Sequence, residues 1–221
     1  MNLSKKIILL LFLSFSMSIY AQKELKEGVI SMKINMSSEN EQVNASLSML
    51  GDISTTTYFK GQKSRTEMKS PMTGENTTIL DNSSKEMLVL LNNPMLGKKY
   101  LKSTMDVSDE DLDNITVKET GDTKTILGYK CKGYDVIVKK DDSETKMTMY
   151  TTDRISAPNQ NSTGLGGKVK GYPMYIVLNI SQAGMPLKTT MEVIEIKNES
   201  VDDNKFDMTI PEGYSKMDNK K

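Results

Sequence analysis

The chain has 221 residues, with 29 basic and 29 acidic side chains, no histidine, no tryptophan and a single cysteine. Without histidine there is no serine–histidine or cysteine–histidine triad and no histidine-ligated zinc hydrolase, so an enzyme would have to work with carboxylates, lysines, tyrosines or a bound cofactor. The balanced charge supplies no basic face for nucleic acid, and one cysteine cannot close an internal disulfide.

At the N-terminus, Lys5 and Lys6 precede the apolar run Ile7–Phe15, and small residues lead to Ala21-Gln22. The run is far shorter than the ~20 residues that span a bilayer. It reads as a signal peptide cleaved after Ala21, which directs the chain to the periplasm or beyond. No cysteine follows it to carry a lipid anchor, and no later apolar stretch is long enough to be a transmembrane segment. Residues 22–215 are expected to form one domain and 216–221 a disordered tail. Loss of the leader leaves 27 basic residues against 29 acidic ones.

Alternation with a period of two dominates the chain beyond the leader. In "VISMKINM", Ile30, Met32, Ile34 and Met36 oppose Ser31, Lys33 and Asn35. "VNASLSM" alternates in the same way, with Val43, Ala45, Leu47 and Met49 on one side, and is expected to pair with it as a hairpin. "TTTYFKGQKSRTEMK" has a hairpin turn at Gly61-Gln62, and "TTILDNSSKEMLVLL" has one at Asp81–Ser84. "DVSDEDLDNI" carries the main helix signal: Ser108 and Asp111 form a capping box, and Val107, Leu112 and Ile115 share a face. Five further strands lie in "KKYLKS", "GYKCKGYDVIVKK", "ETKMTMYTT", "YPMYIVLNIS" and "LKTTMEVIEIK". About ten short strands indicate a mainly β chain, a sandwich or barrel. Residues 156–173, rich in glycine, read as one long loop; Gly164–Lys168 lacks the phosphate-loop spacing.

Three features invite a function. Seventeen methionines are many, and a large share fall on the apolar side of strands. They can be core packing, a cavity for flexible apolar chains, or soft ligands for copper. Their dispersion speaks against copper. The acidic run Asp106–Asp113 lacks the glycine of a calcium loop and is interrupted by Leu112, and it reads as a solvated helix start. No metal or cofactor is therefore expected. Cys131 lies in the strand "GYKCKGYDVIVKK", where Gly133 suggests a bulge; a buried, structural thiol is expected.

"YFKGQKSRTEMK", "TTILDNSSKEMLVLLN", "KTILGYKCKGYDV", "MTMYTTDRI" and "IPEGY" together resemble an uncharacterised family of secreted bacterial β-proteins, a domain of unknown function. The pattern is also similar to periplasmic lipoprotein carriers of the LolA/LolB type. That resemblance implies a curved antiparallel half-barrel, with one or two short helices plugging an apolar concave face that holds acyl chains. It also implies that an arginine on an early strand, here Arg65, reaches the plug as a lid contact. The expected ligand surface is Met32, Ile34, Met36, Leu47, Met49, Met68, Met87, Met147, Met149, Met174 and Ile176. The covers are residues 104–116 and 156–173. On this reading the chain is a non-enzymatic binder of a lipid or acyl chain. The rival readings are a structural or interaction module of the envelope with a self-filled core, whose partner is unknown, and a histidine-free enzyme.

Overall fold

The computed structural model describes residues 23–70, 74–140, 143–182 and 185–217; the leader lies outside them. Eleven strands of eight or more residues and one of two residues make a single sheet. They are β1 Glu27–Ser38, β2 Ile53–Lys60, β3 Lys63–Ser70, β4 Gly74–Asp81, β5 Glu86–Asn93, β6 Gly97–Thr104, β7 Ile115–Ile126, β8 Tyr129–Lys140, β9 Ser143–Thr152, β10 Tyr172–Gln182, β11 Met185–Lys197 and β12 Ser215–Lys216. Three short helices, α1 Glu41–Ser48, α2 Asp109–Asp113 and α3 Gln160–Thr163, interrupt the strands.

The order across the sheet is β12-β6-β5-β4-β3-β2-β1-β11-β10-β9-β8-β7. Two antiparallel meanders, β1–β6 and β7–β11, are joined where β1 pairs with β11. Only β12 is parallel to its neighbour. The connection from Thr104 to Ile115 runs from one end of this sheet to the other. Eleven residues reach at most about 38 Å, whereas ten strand spacings laid flat would separate β6 from β7 by about 48 Å. The sheet must therefore curl, and it forms an open half-barrel.

Strand parity sorts the side chains strictly. On β1–β4, Glu27, Lys33, Lys60, Lys63, Arg65, Glu67, Lys69, Glu75 and Asp81 all point outward. Ile30, Met32, Ile34, Phe59, Met68 and Leu80 point inward. On the other half, Val136, Met147, Met149, Ile176 and Met191 share that inner face.

The outer face of the first meander is closed by the C-terminal segment. Phe206, in the 3-10 turn Asp203–Phe206, packs with Val29, Val201 and Tyr58. Met208 and Tyr214 cover Ile79, Leu88 and Leu90. Leu88 is fully buried there, worth about 2 kcal/mol. Ser215 and Lys216 pair with β6, and Met217 N–H donates to Tyr100 O at 2.8 Å. The tail thus stays on the sheet two residues further than expected, with Lys216 in β12 and Met217 hydrogen-bonded beside it; residues 218–221 lie outside the described set.

Two local expectations need correcting. Residues 43–49 are not a strand but most of α1: the Asn40 side chain accepts from Gln42 N–H and Val43 N–H, which starts a helix. The first meander therefore pairs β1 with β2 directly. Gly133 is not a bulge either. Pairing of β8 with β9 runs unbroken through it, and the irregularity lies opposite, between Glu119 and Thr123 of β7. Gly133 is needed because a Cβ there would lie 2.6 Å from Thr120 Oγ1 and 3.4 Å from the Tyr150 ring.

Candidate functional site

The hollow of the half-barrel has two halves with different surfaces. Over β7–β11, the long loop folds inward: Leu165 and Val169 pack on Ile115, Tyr134, Val136, Met149 and Ile176. Ile155 and Tyr172, at its two ends, join Ile30, Met32, Phe59, Met174 and Val193. The loop begins against the N-terminus, where Leu25 N–H donates to Arg154 O and Leu25 O accepts from Ser156 N–H.

The two expected covers meet each other. Ser108 caps α2: its Oγ accepts from Asp111 N–H and donates to the Asp111 carboxylate. Lys168 Nζ donates to Leu112 O at 2.7 Å and Ile115 O at 2.8 Å. Gly166, at φ +60°, leaves room for the Leu112 side chain, which any Cβ there would strike.

Over Met68 of β3 and over β5 and β6, no packed cluster of described residues lies on the hollow, whereas Ser64 and Leu80 at the other end of β3 and β4 are buried. Met68, Met87, Val89, Leu91 and Leu101 all face inward. They are half-buried and join none of the packed clusters of described residues. Between the open and closed halves lies a cleft of about 160 Å³. Its floor is Met32, Ile34, Met68 and Met191; its walls are threonines and amides of β2, β3, β4 and the loop, with Tyr172.

The sequence-based candidates separate accordingly. Met32, Ile34, Met68, Met87, Met147, Met149 and Ile176 share the inner face, as does Met36 at its rim. Met149 and Met174 are fully buried and Ile176 nearly so, which makes them core rather than open surface. Leu47 and Met49 do not belong to the face at all. They lie in α1 and at its end, and Met49 is 76% exposed. Arg65 makes no lid contact: it lies on the outer face, with Nε 2.6 Å from Glu67 Oε1 and Nη1 3.5 Å from Lys205 O. It ties the C-terminal segment down, because strand parity sends it opposite to Ser64 and Thr66.

Sequence reasoning missed Val89 and Leu91, which stand in the unbroken apolar run of β5, Leu101, which stands among lysines in β6, and the polar wall of Thr55, Thr57, Thr66, Asn76 and Thr78. Thr55 and Thr57 share the strand parity of Ile53 and Phe59 along β2, which was the available signal.

Cys131 is fully buried, and its thiol donates to Tyr129 O at 3.4 Å. Burial pushes its pKa up to about 11, so it is no nucleophile. Tyr172 is likewise pushed up to about 12 by burial, although hydrogen bonds with Thr57 and Asn159 work against the rise.

Residues 27–214 match the family described as a domain of unknown function, DUF4412. The chain belongs to that family. No curated protein matches this DUF4412 chain. Among solved structures it is similar to PNGF-II at 14% identity and TM-score 0.48, over 87% of this chain and 31% of that one. It is also similar to the Mycobacterium tuberculosis lipoprotein LppX at 9% identity and TM-score 0.33, over 80% of this chain and 89% of that one. The DUF4412 chain thus spans about a third of the PNGF-II length, and neither likeness bears on its function. No helix among the described residues is long and apolar enough to cross a membrane.

Proposed function

We propose that the protein is a non-enzymatic, extracytoplasmic binder of a lipid or lipoprotein acyl chain, held in the hollow of the half-barrel. The observation that carries this reading is the uncovered inner surface of Met68, Met87, Val89, Leu91 and Leu101. It continues the floor of Met32 and Ile34, in a sheet whose other half is closed by its own loop. Each CH₂ buried there contributes about 0.8 kcal/mol, so a ten-carbon stretch would supply ~8 kcal/mol before ordering costs. The cleft alone is small beside the ~300–1,000 Å³ of typical ligand sites. A chain must therefore lie out over β4–β6 or lift the loop. The leader-like N-terminus and the motif resemblance to lipoprotein carriers support both ligand class and compartment.

The envelope-module reading draws on Leu165 and Val169, which fill the second half of the hollow with the protein's own side chains. Delipidated protein titrated with a fluorescent fatty-acid derivative separates the two. A saturable signal, lost in Met68→Glu with the fold intact, supports the binder; no signal supports the self-filled module.

A further inference from the structure

Among the described residues, no charged side chain lines the cleft. Its lining is Met32, Ile34, Met68 and Met191 together with threonine, asparagine, glutamine and tyrosine side chains. Every charged residue of β1–β4 faces the other way, and most are paired there: Lys63 with Asp81, Arg65 with Glu67, Lys69 with Glu75 and Lys60 with Glu27 and Asp203. The nearest inward-facing charge on these rows is Lys99. It lies two strands beyond Asn76, past Leu91, about 10 Å away at the usual spacing.

The polar wall is not spent on internal bonding. Thr57 and Thr66 hydrogen-bond each other at 2.9 Å, and Thr57 also meets the Tyr172 hydroxyl. Thr55, Asn76 and Thr78 line the same cleft, and their side chains have no hydrogen-bond partner among the described residues. These groups stand in two neighbouring rows, Thr55–Met68–Asn76 and Thr57–Thr66–Thr78. Donors and acceptors of both kinds therefore sit beside the methionines.

Resting on the binding function proposed above, we infer that the cleft takes an uncharged amphiphile. Its hydroxyl, ester or amide end is held by the Thr66–Asn76–Thr78 wall, and its chain runs over Met68 toward Leu91. A carboxylate or ammonium in the same place would lose its hydration with no counter-charge in reach. A neutral polar end exchanges water for the waiting threonines and asparagine, and a site built for such groups discriminates strongly.

The test uses three probes of equal chain length with delipidated protein by calorimetry at pH 8: monododecanoyl glycerol, dodecanoate and dodecyltrimethylammonium. The glyceride binds at least tenfold more tightly than either ion, and the Thr66→Val, Asn76→Leu double variant loses that preference while still binding. Dodecanoate or the ammonium binding as tightly as the glyceride overturns the inference and leaves the binding function standing. So does an unchanged preference in the double variant. Failure of all three probes to bind overturns both. If the double variant does not fold, the order of the three probes on the unaltered protein decides.

Discussion

Lys168 clasps Leu112. The ammonium of the long loop donates to the carbonyl oxygen at the end of α2, and to Ile115 O three residues on. The loop that closes half the hollow is thereby fastened to the connection that spans the open side of the sheet. Lys168→Met keeps the stem and removes both bonds. It should cost about 1 kcal/mol, since the site is partly solvated. Amide hydrogen exchange should quicken in residues 159–170 and 109–113 but not in β1 or β11.

Two methionines on one inner face should answer differently to the same change. Met149 is fully buried between Tyr134 and Ile176. Met149→Glu places a carboxylate in the core and should destabilise the fold by at least about 4 kcal/mol. Met68 is half-exposed in the cleft. Met68→Glu should cost under about 1.5 kcal/mol while abolishing acyl-chain binding. Urea titration and a binding isotherm on each variant check the pair.

Alkaline pH should weaken the fold through Cys131 and Tyr172. In the unfolded chain the thiol ionises near 9.0; in the fold, burial holds it protonated to about 11. Between those values the folded state binds the extra proton, so stability present below pH 9 is lost as pH rises toward 11, on the order of 2 kcal/mol. Tyr172 acts in the same sense from pH 10 to about 12. Cys131→Ala should flatten the first part of that decline in urea midpoints measured from pH 8 to 11.

Ser64 is 1% exposed on the inner face, and its hydroxyl has no hydrogen-bond partner among the described residues. Its cross-strand neighbours are Phe59 and Leu80. Ser64→Ala removes an unsatisfied group and should raise stability by about 1 kcal/mol, read as a higher urea midpoint at unchanged slope.

Residue spacing decides which parts of the fold and the cleft are legible in the sequence. Ile30, Met32 and Ile34 announce their face because alternate residues on a strand point the same way. The hairpin turn at Gly61 and the cap at Ser108 are local signals, and both formed where expected. Residues 43–49 mislead because Val43, Ala45, Leu47 and Met49 alternate, while Val43 and Leu47 also sit one helical turn apart; Asn40 decides for the helix. Phe206, Met208 and Tyr214 keep no period, so nothing local tells that they close the outer face. The polar wall is hidden for a related reason. Threonine reads as a strand former wherever it stands, and only register across three strands brings Thr55, Thr66 and Asn76 together.

Methionine oxidation by dilute peroxide tests the occupied hollow most directly, because the chain carries its own controls. Met49 and Met95 are 76% and 88% exposed, and Met149 and Met174 are fully buried. With saturating lipid, sulfoxide formation should slow at Met68 and Met87 while Met49 and Met95 oxidise as before. Unchanged rates at Met68 and Met87, or protection at Met49 and Met95 instead, would place the ligand elsewhere and contradict the account.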